Sequence, residues 1–331
     1  KALDQTSFSC DDVGTNTVTL TVTDVNGNEN TGTATVTVED NISPTVVTQD
    51  ITAQLDATGN VSITPDDIDN GSSDNCSVAS KSLDVSSFSC SDVGENIVTL
   101  TVTDANGNSS SQTATVTVED NIAPTVLTQD VTVELDESGA ASISVSDINN
   151  GSSDNCSIES KALDQTSFSC DDVGTNTVTL TVTDVNGNEN TADATVTVED
   201  PYSPQELDIV ITNLTCYEDG TGQIEITPIG GQGTMSYSID GGSSWQTGDG
   251  LFTGLYAGSY TVLVEAENGC QNSYASNPVV VNQPTELVID DVTATNTTGY
   301  NNNDGTITIT ASGGTGDIMY SINGGGTWQN D

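Results

Sequence analysis

Residues 178–200 read VTLTVTDVNGNENTADATVTVED, and nearly the same text stands at residues 18–40 and 98–120. Valine or leucine alternates with threonine on both sides of a polar Asp-x-Asn-Gly-Asn turn. This alternation is typical of two antiparallel strands that bury one face. The stretch therefore predicts a β-hairpin, whose last residues, Glu199 and Asp200, lie where one repeat ends and the next begins.

Residues 1–40 match residues 161–200 at all but two positions, and residues 81–120 follow the same pattern, so the chain of 331 residues repeats with a period of 80 residues. A period of this length indicates an array of small domains, and the interrupted repeats at both ends predict a fragment of a longer protein. The predicted domains are the second half of a repeat at 1–40, complete repeats at 41–120 and 121–200, a different unit at 201–284, and the first part of a second copy of that unit at 285–331.

The pattern within residues 121–200 predicts about seven short strands and shows no helical periodicity. Ala141, Ile143 and Val145 are expected to point one way in a single strand, and the polar residues 146–155 are expected to form a long loop. Short alternating strands separated by turn residues favour an immunoglobulin-like β-sandwich. We therefore predict an all-β protein, a tandem array of immunoglobulin-like β-sandwich domains.

The formal net charge of −46 arises from 49 acidic residues against Lys1, Lys81 and Lys161, with no Arg and no His. Nucleic acid and anionic membrane surfaces would repel such a chain, so neither is an expected partner. Compaction of so acidic a chain needs a saline medium or bound divalent cations. No apolar run approaches ~18 residues, so no membrane insertion is expected.

The side chains needed for catalysis are sparse. Without His or Arg, no base is available to activate the many Ser and Thr hydroxyls. Carboxylate pairs in short turns of a repeated module fit surface groups or cation ligands better than a tuned acid and base. We therefore predict that the protein is not an enzyme. An isopeptide bond between Lys161 and an Asn or Asp is a less favoured covalent alternative.

The seven cysteines recur with the repeats, since Cys76 and Cys90 reappear as Cys156 and Cys170. Without His and without a Cys-x-x-Cys motif, disulfides in an oxidising, extracellular compartment are a better interpretation than zinc. A disulfide from Cys156 to Cys170 would close a loop of 15 residues and stabilise the repeat by about 3 kcal/mol. The predicted pairs are Cys76–Cys90, Cys156–Cys170 and Cys216–Cys270, with Cys10 joined to a cysteine upstream of the sequence.

Acidic and amide side chains are expected to gather where consecutive repeats meet. In an immunoglobulin-like sandwich, the turn of the last hairpin and the loop after the second strand lie at the end where the chain enters. Carboxylate and amide oxygens, six to eight around one ion, are the ligands that Ca²⁺ requires. The predicted calcium ligands are Glu39, Asp40, Asn41, Asp69, Asp74, Asn75, Asp104, Asn106 and Asn108 at the first joint, and Glu119, Asp120, Asn121, Asp147, Asp154, Asn155, Asp184, Asn186 and Asn188 at the second.

The alternative to a calcium site is that these side chains only stabilise turns. Asp184 and Asn186 could accept backbone hydrogen bonds in a turn for which Gly187 supplies a positive φ, and Asp154 could cap the loop before Cys156. After Asp200 the linker becomes Asp-Pro-Tyr-Ser-Pro, so no equivalent site is expected there.

Two tryptophans recur at the same place in the last two units, Trp245 with Tyr237 and Trp328 with Tyr320. Aromatic faces can stack on sugars, but recurrence in both copies favours packing in the core.

Residues 1–200 resemble the hyalin repeat. The resemblance lies in SDNCS at residues 153–157, VTLTVTD with NGN at residues 178–188, and TVTVED at residues 195–200. The hyalin repeat is an immunoglobulin-like module of extracellular proteins, so the resemblance implies a β-sandwich used in adhesion, without catalytic residues.

Residues 207–331 resemble the SprB-type repeat of gliding-motility adhesins in the Bacteroidetes. The first copy contains GG-x-G, YSIDGG and AGSYTVLVEAENGC, and the second contains GGTG and YSINGG. Asn296 stands in the second copy where the first has Cys216, so no disulfide of that kind is expected there. The resemblance implies a cell-surface protein of such a bacterium, exported by the type IX route.

Together these features predict a mechanical function. We expect a stalk segment of a very large secreted adhesin or filament, used in adhesion or gliding motility and stiffened by calcium. Its partners would be neighbouring repeats of the same chain, with surface polysaccharide or other cells as further candidates. The alternatives are a module that binds glycans or surfaces directly, and a self-assembling extracellular matrix or sheath filament.

Overall fold

The computed structural model describes residues 1–330 and is composed almost entirely of β-strands. The chain divides into a first unit of residues 1–128, 149–162 and 180–192 and a second unit of residues 129–148, 163–179 and 193–331. Three strands, Ile158–Leu163, Gly174–Asp184 and Glu189–Glu199, belong in part to each unit. The predicted all-β fold, a tandem array of immunoglobulin-like sandwiches, is confirmed.

The first unit contains three sheets outside the shared strands. Its strands are Ala2–Leu3, Gly14–Thr23, Glu29–Val38, Ile51–Gln54, Asn60–Ser62, Val78–Leu83, Ser87–Ser89, Gly94–Asp104 and Ser109–Glu119, with 3-10 turns at Cys10–Asp12 and Cys90–Asp92 and a helix at Pro65–Ile68. The quoted pattern forms the predicted hairpin, because Gly94–Asp104 pairs antiparallel with Ser109–Glu119. Ile51–Gln54 then pairs parallel with the last arm of this hairpin, and Val78–Leu83 covers the other edge.

The core of the first unit lies under one face of this hairpin. Val98, Leu100 and Val102 are fully buried, and the intervening threonines are partly exposed, as the alternation requires. Ile68 and Phe88 close the core from the short helix and the small sheet. Burial of one such side chain contributes about 1.5–3 kcal/mol, so the hairpin is the main apolar surface on which the repeat folds.

The second unit begins with parts of residues 121–200. It continues after residue 200 with a different kind of domain, whose sequence pattern occurs twice. Its strands outside the shared ones are Val131–Glu134, Ala141–Ser142, Ser167–Phe168, Glu206–Thr212, Gly222–Ile229, Ser236–Ser238, Gln246–Thr247, Leu251–Leu255, Gly258–Tyr260, Leu263–Glu265, Gln271–Ser273, Val279–Val281, Val288–Thr295, Thr306–Ser312, Met319–Tyr320 and Gln329–Asn330, with a helix at Val145–Ile148 and a 3-10 turn at Cys170–Asp172. Ile224, Ile226, Val262 and Val264 form the buried centre of the first of these two copies.

One local expectation is wrong. Val145 does not continue the strand of Ala141, which ends at Ser142, but begins the helix Val145–Ile148. The Asp147 carboxylate accepts hydrogen bonds of 2.7 Å from both the backbone N–H and the hydroxyl of Ser144. This capping arrangement satisfies the free N–H groups of a helix start, and Thr64 and Asp67 form it in the preceding repeat.

The predicted cysteine pairing is also wrong. The disulfides are Cys10–Cys76, Cys90–Cys156 and Cys170–Cys270, and Cys216 is free and exposed. The predicted pairs Cys76–Cys90, Cys156–Cys170 and Cys216–Cys270 do not form, and Cys10 has its partner downstream rather than upstream. Each disulfide thus joins the 3-10 turn of one sequence repeat to a loop of the next repeat along the sequence.

The length of one strand explains this pairing. Cys76 lies two residues before Val78, which pairs with Asp104, whereas Cys90 lies four residues before Gly94. Gly94 and Asp104 are the two ends of an 11-residue strand, so about 35 Å separates the two cysteines. A disulfide requires Cα atoms within about 7 Å, and the observed separations are 5.3 to 5.4 Å.

A glycine in the first unit makes room for the Cys90–Cys156 disulfide. Gly59 has a φ of +73°, and a Cβ placed on it would lie 2.6 Å from Cys90 Sγ and 2.7 Å from the carbonyl oxygen of Asn155. Gly139 stands in the same relation to Asn268 and Cys170 in the second unit, with 2.8 Å to the Asn268 carbonyl oxygen. Both the left-handed backbone and the close approach exclude a side chain here.

We therefore expect Gly59→Ala to be more destabilising than Gly71→Ala. Both glycines have a positive φ, but nothing lies within 4 Å of a Cβ on Gly71. The shared backbone strain costs about 1 kcal/mol, and the clash at Gly59 adds about 1–3 kcal/mol. Urea unfolding of the two variants measures the difference. Equal midpoints would contradict the close contact.

Candidate cation site

Two clusters of three carboxylates lie in the first unit. The first carboxylate cluster is Asp40, Asp74 and Asp104, and the second is Asp120, Asp154 and Asp184. Within each cluster, one carboxylate oxygen from every residue lies within 4.8 Å of the others. The clusters are equivalent, because each member of the second follows its counterpart by 80 residues.

Three different segments deliver the carboxylates of the second carboxylate cluster. Asp120 directly follows the strand Ser109–Glu119, and Asp184 is the last residue of the strand Gly174–Asp184. Asp154 follows Ser153, which forms a bridge with Thr125. The cluster therefore joins the linker, the hairpin turn and the loop before Cys156.

The hairpin turn fixes Asp184 firmly. Its Oδ1 accepts hydrogen bonds of 2.8 Å from the backbone N–H groups of Asn186 and Asn188, and its Oδ2 accepts one of 2.8 Å from Asn188 Nδ2. Asn188 Nδ2 also donates to the carbonyl oxygen of Asp120 at 3.0 Å and so connects the turn to the linker. Asp104 and Asn108 make the same contacts with the linker at Asp40. The hydrogen bonding expected for a turn is thus present.

Turn formation leaves several buried oxygens without a partner. At the second carboxylate cluster they are Asp120 Oδ2, Asp154 Oδ1, Asn155 Oδ1 and Asn186 Oδ1. The same holds for Asp40 Oδ2 and Asp74 Oδ1 at the first cluster. A buried acceptor without a donor costs about 1–3 kcal/mol, and more when it is charged.

These oxygens belong to side chains whose other atoms are well bonded. Asp120 is 5% exposed, and its Oδ1 accepts from the N–H of Ile122 and from Asn155 Nδ2, both at 3.1 Å. Asp154 Oδ2 accepts from the N–H of Cys156 at 2.9 Å. The orientation of the unpartnered oxygens is therefore fixed by the fold.

The carboxyl group of Asp104 is held in its ionised form. Burial raises its pKa, but hydrogen bonds from the side chain and backbone of Asn108, with those from Asn106 and Gly107, outweigh burial and lower the pKa below its usual value. Asp104 is 2% exposed, so this charge lies within the protein. Negative charges at such short range repel one another strongly unless a cation lies between them.

Oxygen ligands of this kind suit Ca²⁺. The second carboxylate cluster offers three carboxylates and the amide oxygens of Asn155 and Asn186, and Ca²⁺ takes six to eight oxygens, completed by carbonyl groups or water. Mg²⁺ prefers a tighter octahedron with more water. The unpartnered acceptors therefore fit a calcium ion better than they fit a network of hydrogen bonds.

The structure uses several of the other predicted ligands elsewhere. Asp69 pairs with Lys81, Asp147 caps its helix, and Glu119 and Asn121 bond to Gln54. The remaining predicted residues have these roles or positions: Glu39 accepts from Asn41, Asn75 donates to Asp40, Asn106 is exposed, and Asn108 and Asn188 tie the turns to the linkers.

Asp200 makes the same side-chain hydrogen bonds as its counterparts Asp40 and Asp120, but it belongs to neither carboxylate cluster. Its Oδ1 accepts from Asn268 Nδ2 at 2.9 Å, and its Oδ2 is buried without a partner. Among residues 1–330, the two groups of three possible ligands do not include Asp200. The expectation that this joint lacks an equivalent site stays a prediction.

Lys81 bridges two carboxylates of the short helix region, with 3.0 Å to Asp66 Oδ1 and 2.8 Å to Asp69 Oδ2. Burial raises the pKa of Asp69, but hydrogen bonds from Lys81 and Ser72 and the charge of Lys81 lower it to about 2. In residues 121–200 the positions equivalent to Asp66 and Asp69 are Ser146 and Asn149. Neither side chain carries a charge, so the ion pairs of Lys81 have no counterpart there.

The recurring aromatic residues are unequally buried. Tyr237 is buried in the core of the first copy and Trp245 is half-buried, whereas Trp328 is 58% exposed. Both tryptophan rings cover the same glycine turn, since a Cβ would lie 3.5 Å from Trp245 at Gly242 and 3.4 Å from Trp328 at Gly325. This local packing accounts for their recurrence.

Part of the chain matches a known family. Residues 209–244 and 292–327 match the SprB repeat, which confirms the predicted SprB-type repeats. No curated protein matches the sequence.

Among the solved structures that align with this chain are arrays of cadherin domains and of immunoglobulin domains. The cadherin domains 1–4 of protocadherin gamma B7 align over 82% of this chain and 84% of their own, with 10% identity and a TM-score of 0.31. The immunoglobulin domains 1–5 of Sidekick-1 align over 81% and 66%, with 11% identity and a TM-score of 0.30. Mouse clustered PcdhgC3 EC1-3 aligns over 54% and 74%, with 13% identity and a TM-score of 0.22.

SprB repeats, disulfides and tandem sandwiches fit an extracellular, adhesin-like stalk. Among residues 1–330, no helix is long and apolar enough to cross a membrane.

Asp69→Asn tests the ion pair between Asp69 and Lys81. Because its folded pKa lies below the unfolded value, Asp69 stabilises the protein above about pH 4, and this contribution is lost as the pH falls towards 2. We expect the variant to lose about 1 kcal/mol at pH 7 and almost nothing at pH 2, by urea unfolding in chelator. Asp66→Asn is the control, since Asp66 is 83% exposed and should contribute less. A loss for Asp69→Asn that is independent of pH would contradict the ion pair.

Proposed function

We propose that the chain is a stalk segment of a very large secreted cell-surface adhesin, used in adhesion or gliding motility by a bacterium of the Bacteroidetes. It would be exported by the type IX route and would act mechanically rather than as an enzyme. The observation that carries the proposal is that two consecutive joints have the same carboxylate cluster and the same type of disulfide. A stalk needs equivalent joints, whereas a binding module needs one distinctive surface.

The domain organisation is part of the proposal. Hyalin-like repeats would occupy residues 1–40, 41–120 and 121–200, and SprB-type repeats would occupy residues 201–284 and 285–331. The 80-residue period supports the first three boundaries, and the family match supports two units after residue 200. The expected partners are neighbouring repeats of the same chain, with surface polysaccharide or another cell at the end of the stalk.

Each carboxylate cluster would bind one Ca²⁺. At the second carboxylate cluster, Asp120, Asp154 and Asp184 would supply the charge, and Asn155 and Asn186 would supply neutral oxygens. The burial of unpartnered acceptors supports this role, since the same atoms cost free energy without a cation. Asn155 and Asn186 support it further, because the sequence predicts both as ligands and their amide oxygens are buried without partners.

Bound calcium would stiffen the joint for a geometric reason. One ion would connect the linker after Ser109–Glu119 with a loop and a hairpin turn of the next repeat, so bending the linker would require breaking metal–oxygen bonds. Two ions would also neutralise part of the charge of the six clustered carboxylates, three at each cluster, in a chain with a net charge of −46.

Calcium titration tests the proposal. We expect isothermal titration of the chelator-treated chain to give two sites, retained in excess Mg²⁺, and the Tm to rise with calcium. At 100 times the Kd, each site would stabilise its surroundings by about 2.7 kcal/mol. An absence of binding heat together with an unchanged Tm would refute calcium binding at both clusters.

Asp154→Asn separates the metal site from a hydrogen-bonded turn. Asn can still accept the hydrogen bond from the N–H of Cys156, but it removes one charge from the second carboxylate cluster. We expect the stoichiometry to fall from two to one, with unchanged or higher stability in chelator because repulsion is relieved.

Asp171→Asn is the matched control, since Asp171 is exposed and lies outside both clusters. It changes the net charge equally and should retain both sites. Two sites in both variants would contradict the assigned ligands.

A further inference from the structure

We infer that the three disulfides form a covalent shortcut through the array, so that residues 10–270 cannot lengthen greatly under tension even when they unfold. This deepens the proposed role as a stalk, and it rests on the connectivity of the disulfides rather than on bound calcium. The predicted pairing within each repeat would have no such consequence.

The shortcut alternates between disulfides and short peptide segments. From Cys10 it crosses to Cys76, follows residues 76–90, and crosses from Cys90 to Cys156. It then follows residues 156–170 and crosses from Cys170 to Cys270. Each repeat thus contributes a segment of 14 peptide steps to the shortcut, whereas the repeat itself is 80 residues long.

Between Cys10 and Cys270, the remaining residues are enclosed in loops that carry no tension while the disulfides are intact. The sequence separations of 66, 66 and 100 residues enclose 65, 65 and 99 residues, or 229 in all. At about 3.5 Å per extended residue, about 800 Å of chain is removed from the maximum length. Unfolding an enclosed loop changes its shape without extending the array.

The segment of residues 76–90 already spans its repeat in the folded state. Val78 pairs with Asp104 at the turn of the hairpin, and Leu83 pairs with Leu100 further along the same strand. Ser87–Ser89 then pairs with Asn60–Ser62, and Cys90 Sγ lies 3.7 Å from the carbonyl oxygen of Gly59. Fully taut, 14 steps measure about 50 Å, compared with about 35 Å for the 11-residue strand beside it. Pulling the folded segment taut would therefore add only about 15 Å, which is small beside the length held in the enclosed loops.

Reduction of the disulfides would remove the limit on the extended length of the chain. A dithiol reductant gives two electrons and two protons to each disulfide, which yields two protein thiols while the reductant closes to a cyclic disulfide. Each enclosed loop then joins the load-bearing chain. The mechanical length of the stalk would consequently depend on the redox state of its surroundings.

Single-molecule stretching tests this inference. The full chain is held through cysteine-free tags at residues 1 and 331, in a Cys216→Ser background that removes the free thiol and prevents disulfide exchange. We expect the fully stretched contour length to be about 800 Å shorter without reductant than with a dithiol. The Cys90→Ser/Cys156→Ser variant should gain only about 230 Å without reductant, because only the middle loop of 65 residues is released.

Two results would overturn the inference. One is equal contour lengths with and without reductant. The other is a difference of only about 45 Å for each bridge, because pairs within a repeat would enclose only the 13 residues between Cys76 and Cys90 or between Cys156 and Cys170. The stretching result is independent of calcium titration, so failure of the shortcut is distinguishable from failure of the calcium sites.

Discussion

The structure depends on one constraint, that a covalent bond and a set of buried charges act on the same short loop. Asp154, Asn155 and Cys156 are consecutive, and they bring a carboxylate, an unpartnered amide oxygen and a disulfide to the second carboxylate cluster. Asp74 and Cys76 repeat the arrangement at the first cluster. The position of this loop therefore determines both how the carboxylates meet and how the repeats are joined.

The disulfide and the buried carboxylates have opposite effects on the free energy of unfolding. Closing a loop of 65 enclosed residues restricts the unfolded chain and contributes about 4 kcal/mol per disulfide, on the scale of a small domain's whole stability. The buried carboxylates oppose folding until a cation compensates them. The stabilisation from the disulfide consequently offsets the repulsion between the carboxylates. The loop can therefore hold the carboxylates close together before a cation binds.

Sequence reasoning succeeded where one periodic pattern determined the structure. The alternation of Val178–Asp184 with its polar turn led directly to the hairpin, and the known geometry of a sandwich placed Asp120, Asp154 and Asp184 together. It failed for the helix Val145–Ile148, although Ser144 and Asp147 form a capping pair whose spacing is visible in the sequence. A four-residue helix has too little periodicity to compete with the strand pattern before it.

Cysteine pairing was beyond the reach of spacing alone. A separation of 14 residues suits a bridge across a hairpin, but residues 76–90 run along the sandwich instead of turning back. The partner of Cys90 is 66 residues away, in a loop whose position depends on the next repeat. One signal in the sequence could have indicated the pairing between repeats. In each complete repeat, one cysteine precedes and the other follows the strands between them, as Cys76 and Cys90 do with Val78–Leu83 and Ser87–Ser89, so the two cysteines lie at opposite ends of those strands.

A tryptic digest of the denatured, unreduced chain tests this connectivity most directly, with the Cys216 thiol blocked beforehand. Trypsin cleaves after lysine, and Lys81 lies between Cys76 and Cys90 while Lys161 lies between Cys156 and Cys170. Disulfides between repeats predict three separate peptides, 2–81, 82–161 and 162–331, each containing one internal disulfide by mass spectrometry. A single linked species that separates into these three peptides only on reduction would contradict the account.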